Sequence, residues 1–202
     1  MKTNKPKTLI SKDMNRKLSP GGIVVFNLLA GTTCKSACPD CYAMKAQRMY
    51  TSARLKREWN LEESKKPDFV RRMVQELQQG HCKMRSIVRF HEAGDFYSQE
   101  YVDKVAIIAA DCPKKTFYAY TKRLKDFDFS ILQAQKNFIL IDSTMYGPLN
   151  YGDEAQVAAW KAQGALVCPA SETISCNNGC AICCSRAYKR VLQGRSVVFL
   201  KH

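Results

Sequence analysis

Three cysteines lie close together near the beginning of the sequence, at Cys34, Cys38 and Cys41. Their C-x3-C-x2-C spacing lets three thiolates converge on one inorganic centre, because the loop between them has to fold back by only a few ångströms. A structural zinc usually takes four protein ligands, whereas three thiolates leave one coordination position of an iron–sulfur cluster open for chemistry. The spacing alone leaves an iron–sulfur site, a zinc site and unrelated thiols open, and it favours the first.

A second cysteine group lies near the end of the sequence and offers four ligands with one cysteine to spare. The predicted ligands are Cys168, Cys176, Cys180 and Cys183, with Cys184 as the alternative to Cys183. Four thiolates close a site, so this group predicts either an auxiliary [4Fe–4S] cluster or a structural zinc. Cys82 and Cys112 stand apart from both groups, and we interpret each as a small buried residue or an idle thiol.

The sequence between the two cysteine groups alternates between strand and helix patterns. Apolar runs predict strands at 22–29, 86–91, 115–120, 137–143 and 165–168, and helices are predicted at 42–50, 67–80, 126–135 and 153–162 and around Tyr101 to Ala109. This alternation predicts an α/β fold, a partial parallel (β/α) barrel of about five to six strands. We place the barrel domain at 1–167 and a small cysteine-rich C-terminal appendage at 168–202. Ligands of such folds bind beyond the carboxyl ends of the strands.

The composition is that of a globular protein without a membrane span. The chain has 202 residues, and its longest apolar run, 22–30, is much shorter than the roughly 20 residues that a transmembrane helix needs. No secretory signal follows the basic first residues, so we expect a cytoplasmic protein whose cysteines bind metal rather than form disulfides. The 32 basic and 18 acidic side chains give a net charge of +14, which suits either a polyanionic partner such as nucleic acid or a solvated basic surface.

The first cysteine group, directly after the first strand, resembles the signature of the radical S-adenosylmethionine enzymes. The resemblance implies that Cys34, Cys38 and Cys41 hold a catalytic [4Fe–4S] cluster and that S-adenosylmethionine chelates its fourth iron. One-electron reduction then cleaves the sulfonium and yields a 5′-deoxyadenosyl radical, which abstracts hydrogen from a substrate that the sequence does not identify. A reductant such as flavodoxin or ferredoxin is implied as a partner. The same resemblance favours iron–sulfur over zinc for the second cysteine group.

A narrower resemblance joins the chain to the small phage family named for gene product 88. It rests on the cysteine loop through Tyr42 and Ala43, on the Gly-Asp-Phe sequence at 94–96, on 118–121 and on the cysteine-rich tail. These segments occur in the same order and together cover most of the chain. The resemblance implies a scaffold and leaves the substrate open.

The resemblance to radical S-adenosylmethionine enzymes also implies cofactor contacts at the strand ends. The loop at 91–95 takes the place of the loop that meets the methionine amino group, a cation after the third strand suits the methionine carboxylate, and a hydroxyl after the fourth suits the ribose. The predicted cofactor-binding residues are Asp40, Tyr42, Glu92, Gly94, Asp95, Lys122 and Ser143.

Structural roles compete with these assignments. Asp95 or Ser98 is suited to cap the next helix, and His91 is suited to a buried core position. The segment 45–60 mixes cations with Tyr50 and Trp59, which indicates either a nucleic-acid face or an ordinary amphipathic helix. The alternative function is therefore a non-catalytic, zinc-stabilised nucleic-acid-binding protein. An iron–sulfur electron carrier is a third hypothesis, which the number of βα units disfavours.

Overall fold

A computed structural model describes residues 7–11, 22–34, 41–142, 151–167 and 197–200 of the chain. Strands and helices alternate along it as the sequence pattern predicts. The elements are β1 (Ile23–Phe26), α1 (Tyr42–Met49), α2 (Thr51–Lys65), α3 (Phe69–Gln78), β2 (Ile87–Phe90), α4 (Gln99–Asp111), β3 (Thr116–Thr121), α5 (Ser130–Gln133), β4 (Phe138–Asp142), β5 (Tyr151–Gly152), α6 (Glu154–Ala162), β6 (Leu166–Val167) and β7 (Val197–Leu200).

The first four strands form one parallel sheet in the order β1-β2-β3-β4. The strand order follows the chain without reversal, and crossover connections between parallel strands are right-handed in nearly all proteins. Helices that connect such strands therefore pack on the same face of the sheet. The α/β class and the parallel sheet are thus confirmed. Within the described residues the sheet has four strands and is open, so a barrel of five to six strands remains a prediction.

The helix-facing side of this sheet is a continuous apolar core. Successive residues of a strand point to opposite faces, and one set of alternate positions, which includes Phe26, Phe90 and Phe117, is fully buried against the helices. The ring centroids of Phe26 and Phe90 lie 5.7 Å apart, and those of Phe90 and Phe117 lie 6.1 Å apart. Phe69 of α3 joins this group at 5.6 Å from Phe26. Burial of each such ring stabilises the fold by about 2–3 kcal/mol.

The opposite face of the sheet carries a row of side chains of mixed character. The strand register pairs Val25 with Arg89, Arg89 with Tyr118, and Tyr118 with Ile139. Val25, Tyr118 and Ile139 are buried, and Arg89 is partly exposed. These four residues lie outside the apolar core that the helices cover.

Residues 7–11 are held against α3 by one carboxylate. The Leu9 N–H donates to both oxygens of Glu76 at 2.7 and 2.8 Å, and the Ile10 N–H donates to Oε2 at 3.0 Å. The side chains of Leu9 and Ile10 are fully buried in the same core as α3. Lys56 donates to the Thr8 carbonyl, and burial lowers the pKa of Lys56 to about 8 although the Glu76 charge acts to raise it. The Glu76 carboxylate therefore satisfies backbone donors that burial would otherwise leave without partners.

Side-chain caps fix where two of the helices begin. The Ser98 hydroxyl accepts the Tyr101 N–H at 3.2 Å at the start of α4, so of the two candidate caps Ser98 takes this role. At the start of α6, the Asp153 carboxylate accepts the Gln156 N–H at 2.9 Å, and the Gln156 side chain accepts the Asp153 N–H at 3.0 Å. This reciprocal pair is a capping box, which satisfies two backbone donors at once.

Three local differences separate the sequence prediction from the structure. A helix is predicted at 126–135, but the structure has only the single turn α5 (Ser130–Gln133) there. The Asp128 carboxylate accepts the Ser130 N–H at 2.8 Å at the start of this turn. The segment 45–60, which the sequence left between two interpretations, contains the end of α1 and the beginning of a further helix, α2 (Thr51–Lys65). A second sheet in the order β5-β7-β6 was not predicted, and β7 belongs to the segment assigned to the appendage.

In the described part of the chain, no helix has both the length and the hydropathy required to cross a bilayer.

Candidate functional site

Cys34 and Cys41 lie on either side of the connection that follows β1. Both are partly exposed, and neither forms a disulfide bond with another described residue. Cys41 immediately precedes α1 and packs with Met44 against a small buried group formed by Ala30, Ala43 and Ala93. Two of the three predicted cluster ligands therefore flank the short segment 35–40 at the carboxyl end of β1.

Gln47 fixes α1 to the loop that leaves β1. Its side-chain oxygen accepts the Ala30 N–H at 2.8 Å, and its side-chain nitrogen donates to the Ala30 carbonyl at 3.2 Å. The oxygen and the nitrogen of the Gln47 side chain thus both form hydrogen bonds with the backbone of Ala30. This pair of hydrogen bonds joins the loop that leaves β1 to the helix that follows Cys41.

Arg57 of α2 places a positive charge near the cysteine loop. The residue is buried, and its Nη1 donates to the Ala43 carbonyl at 2.8 Å and to the Gln47 side-chain oxygen at 3.2 Å. Burial lowers the pKa of Arg57, and the charges of Glu92, Tyr42 and Cys41 raise it in part. A thiolate or a carboxylate at this edge of the sheet therefore has a cation nearby.

The loop that follows β2, residues 91–95, continues the contact with β1 beyond both strand ends. The His91 N–H donates to the Phe26 carbonyl at 2.9 Å, and the Leu28 N–H donates to the Ala93 carbonyl at 3.0 Å. His91 has φ 60°, a left-handed conformation that costs a non-glycine residue about 1–3 kcal/mol. The loop is therefore held in one shape by hydrogen bonds to β1 and its extension.

Gly94 lets the loop after β2 press against the cysteine loop. Its φ is +85°, and a Cβ at this position would lie 2.8 Å from both the Leu28 Cβ and the Thr33 hydroxyl oxygen. Only glycine fits at such a separation without displacing its neighbours. The approach that the structure describes is between two loops of the protein, and contact of Gly94 with a cofactor stays a prediction.

Asp95 joins the loops that follow three different strands. Its N–H donates to the Thr33 hydroxyl at 3.0 Å, and its carboxylate accepts from the Thr121 hydroxyl at 2.7 Å, the Phe96 N–H at 2.8 Å and the Lys122 N–H at 3.0 Å. The side chain is buried, and burial raises its pKa while these hydrogen bonds act to lower it. Asp95 is thus used to position the loops, and neither it nor the partly exposed Lys122 is shown in contact with a cofactor.

Glu92, Asn27 and Tyr42 meet at the same edge. The Asn27 amide donates to the Glu92 carboxylate at 3.5 Å and accepts the Ala93 N–H at 3.0 Å, and the Tyr42 hydroxyl donates to the Glu92 carbonyl. The Tyr42 side chain is 51% exposed, so its ring presents an aromatic surface directly after Cys41. The structure therefore brings together two of the residues that the sequence assigned to cofactor binding.

His91 is a buried residue at the base of this loop. Its Nε2 lies 2.9 Å from the Tyr101 hydroxyl, and its ring meets Phe96 edge-on with centroids 4.6 Å apart. Burial, with a smaller contribution from the Arg89 charge, lowers the pKa of His91 to about 3. His91 is therefore neutral near pH 7 and occupies the buried core position predicted as the alternative to a role in the site.

Seven predicted site residues lie outside the described residues: Cys38, Asp40, Ser143, Cys168, Cys176, Cys180 and Cys183. Among the residues that are described, no three His, Cys, Asp or Glu side chains are grouped to hold a metal ion. The described donors, Cys34 and Cys41, fit an iron–sulfur site only together with Cys38. Cys82 and Cys112 are buried as predicted, and burial raises the pKa of Cys82 to about 11.

Sequence reasoning missed the polar residues that fix the site, which are Asn27, Thr33, Gln47, Arg57 and Arg89. For two of these residues the sequence contains a feature that could have indicated their role. Asn27 and Arg89 each interrupt an apolar run that reads as a buried strand, and a polar residue in such a run indicates a specific partner. The others lie in loops or polar helices, where their residue types are ordinary.

Comparison with curated proteins gives no match, and comparison with solved structures gives none either. A family model does match: Gene product 88, over residues 2–145. The match covers well over half of the chain and includes the cysteine loop, the loop after β2 and all four strands of the parallel sheet. The chain therefore belongs to the Gene product 88 family, the phage family that its motifs resemble.

Proposed function

We propose that this protein is a radical S-adenosylmethionine enzyme whose site lies at the carboxyl edge of the four-stranded sheet. Cys34, Cys38 and Cys41 would hold the [4Fe–4S] cluster. When bound, such a cluster supplies the electron that cleaves S-adenosylmethionine, delivered to it by a reductant such as flavodoxin or ferredoxin. The cysteine-rich tail would hold a second, auxiliary cluster.

One observation carries the proposal: the first cysteine is fixed directly beside the loop that follows β2. Thr33, the residue before Cys34, fills the space over Gly94 and accepts the Asp95 N–H at 3.0 Å. The cysteine loop and the loop after β2 thus form one unit at the edge where parallel α/β folds bind their ligands. A zinc site that served stability alone would not require this placement.

The described residues divide into those that hold the site and those that face it. Asp95 and Gln47 are occupied by hydrogen bonds within the protein, so they position the loops. Glu92 is partly exposed at the edge, and its carboxylate is suited to accept hydrogen bonds from an ammonium group. The exposed ring of Tyr42 is suited to stack on a purine base.

The proposal is tested by purifying the full chain without oxygen and measuring iron, sulfide and zinc. We expect a brown protein with about four irons for the first site and about eight if the tail also binds a cluster. With dithionite and S-adenosylmethionine it should release 5′-deoxyadenosine. The variant Cys34→Ala should lose the iron of the first site and the release of 5′-deoxyadenosine.

Cys112→Ala is the matched control, because Cys112 is buried at the end of α4 and outside both cysteine groups. It should keep both the iron and the activity. A colourless protein with stoichiometric zinc would contradict the proposal, as would 5′-deoxyadenosine release that persists unchanged in Cys34→Ala.

The second candidate is a zinc-stabilised nucleic-acid-binding protein, and one surface supports it. Lys45, Arg48 and Tyr50 are exposed on and directly after α1 and suit contacts with phosphates and bases. Two other cations of the segment 45–60 are used within the protein. Arg57 is buried, and Lys56 lies over the Trp59 ring with its Nζ 4.7 Å from the ring centroid.

Binding of a fluorescent single-stranded oligonucleotide separates the two candidates. Nucleic-acid binding through this surface requires that Arg48→Ala and Tyr50→Ala both weaken the complex, whereas loss of Lys83, an exposed cation before β2, should not. Equal effects of all three substitutions would indicate only the general attraction of a basic protein.

A further inference from the structure

Arg89 is a charged residue within a buried strand, on the face of the sheet opposite to the apolar core that the described helices cover. It lies one residue before the end of β2, between Val25 of β1 and Tyr118 of β3. Its Nε is buried and has no hydrogen-bond partner among the described residues. Within the described part of the chain, its guanidinium makes neither a hydrogen bond nor an ion pair.

Two aromatic rings hold the Arg89 guanidinium in place. The Cζ lies 5.8 Å from the centroid of the Tyr118 ring and 5.4 Å from that of the Tyr120 ring. Contacts between a cation and aromatic faces are weaker than the hydration that a buried guanidinium gives up. The rings therefore orient the cation and do not replace an anionic partner.

The charge of Arg89 is permanent. Burial acts to lower the pKa, but Tyr118, Tyr42, Tyr120 and Glu92 act to raise it, and the pKa lies above its ordinary value. Glu92 exerts this effect without forming an ion pair with Arg89 in the described structure. Glu92 therefore favours the charged form from a distance and does not use the N–H donors of the guanidinium.

We propose that Arg89 binds an oxyanion group, a carboxylate or a phosphate, carried by the molecule on which this protein acts. A guanidinium presents Nε–H and a terminal N–H side by side, and this pair matches two oxygens of such a group. The residue is partly exposed, so a ligand can reach it from the sheet face near the carboxyl edge. That the anion belongs to the substrate rests on the proposed function, whereas binding of the anion does not.

The test measures the melting temperature of the full chain in sodium phosphate, in sodium acetate and in sodium chloride at equal ionic strength. We expect phosphate or acetate to raise the melting temperature by at least about 5 °C at 100 times its Kd, with no such rise in chloride. The anion with the larger effect identifies the group as phosphate or carboxylate. No rise above chloride with either anion would overturn the proposal.

Arg89→Met should weaken the binding of that anion about 10- to 100-fold, and Arg89→Lys should not restore it because an ammonium lacks the paired donors. Arg71→Met is the control. It removes the same charge from a side chain of α3 that is 72% exposed, and it should keep the response. An equal loss in Arg71→Met and Arg89→Met would assign the effect to overall charge.

A second measurement does not require a folded variant. The Nε–H signal of Arg89 in ¹⁵N spectra of the wild-type chain should shift on titration with the anion, since Nε has no hydrogen-bond partner in the described structure. A signal that does not move would overturn the proposal. If the chain lacks iron and releases no 5′-deoxyadenosine but Arg89 still binds the anion, the proposed function fails and the oxyanion site stands.

Discussion

The two faces of the four-stranded sheet carry side chains of different chemical character. The face toward the helices is built from rings and aliphatic groups such as Phe26, Phe90 and Phe117. The opposite face places Arg89 beside Tyr118 in the middle of a buried row. Both faces of a parallel sheet are normally apolar because both are covered. One face follows this rule, and the other departs from it at a residue that has no anionic partner in the described structure.

The difference teaches where to look for function in this chain. A buried charge without a partner destabilises a fold, so a sequence keeps one only where something other than stability requires it. The helix-facing side should therefore respond to substitution through stability, and the opposite side through ligand binding. Four predictions test this division.

Phe90→Ala should have the largest effect on stability. The ring is fully buried and contacts the rings of Phe26, Phe117 and Phe138, so its removal should cost about 3–5 kcal/mol of unfolding free energy. Urea unfolding measures the change. Ile107→Ala, at a half-exposed position of α4, is the control and should cost about 0.5 kcal/mol or less. Similar losses in both variants would contradict the assignment of the core to this face.

Gly94→Ala should have the next largest effect on stability. Gly94 lies in the loop after β2, at the edge that the two faces of the sheet share. A methyl group at Gly94 adds a 2.8 Å contact to an unfavourable φ, and we expect a loss of about 2–4 kcal/mol. Gly80→Ala is the matched control, since φ there is +52° and nothing lies within 4 Å of the added Cβ. It should cost about 1 kcal/mol. If the two substitutions cost the same, the close contact at Gly94 is absent.

His91 should make the protein sensitive to acid. Its pKa is lowered to about 3 in the fold, so unfolding takes up a proton below the ordinary pKa of about 6.5. The stability contribution is therefore complete above pH 6.5 and decreases as the pH falls toward 3, by about 2 kcal/mol between pH 7 and pH 5.

His91→Asn tests this contribution, because asparagine tolerates φ 60° and does not titrate. Urea unfolding at pH 7 and at pH 5 should show a smaller loss of stability in the variant than in the wild-type chain. An identical pH dependence of the two proteins would mean that His91 is not the buried neutral group.

Arg89→Met should have the smallest effect on stability. Replacing an uncompensated buried cation with an apolar side chain is neutral or stabilising, so we expect unfolding free energy within about 1 kcal/mol of the wild type, or above it. Urea unfolding in chloride buffer measures this. A loss of more than about 3 kcal/mol would show that Arg89 has an anionic partner within the chain and would remove the contrast between the two faces.

Much of the parallel sheet could be predicted because its strands are short apolar runs between turn signals. The strands at 22–29, 86–91, 115–120 and 137–143 all correspond to strands of the sheet. Three of them are longer in the prediction than in the structure, and 115–120 has the length of β3 but is shifted by one residue. Boundaries were less accurate because hydrogen bonds rather than side-chain patterns end a strand. The strand predicted at 165–168 contains β6, but the sheet that β6 forms with β5 and β7 was missed. Its pairs join residues 48 and 31 positions apart, and two of its strands have only two residues.

The position of the site could be predicted from the sequence, but the roles of its residues could be predicted only in part. The position of the 91–95 loop follows from the strand before it, and its glycine indicated a close approach. That Asp95 uses its carboxylate on Thr121 and Lys122 could not be foreseen, because those partners lie on another strand end. Arg89 was overlooked because alternation assigns residues to a face and does not say which face the helices cover.

The hydrogen bonds between Glu76 and residues 9 and 10 determine when the beginning of the chain can fold during synthesis. Leu9 is separated from Glu76 by 67 positions. At about 5–20 residues per second, the ribosome adds those residues in about 3–13 seconds. During that interval the N–H groups of residues 9 and 10 cannot reach Glu76, and they donate to water instead. Residues 9 and 10 are therefore synthesised early but reach their native contacts late. A chain terminated before α3 would leave the side chains of Leu9 and Ile10 exposed.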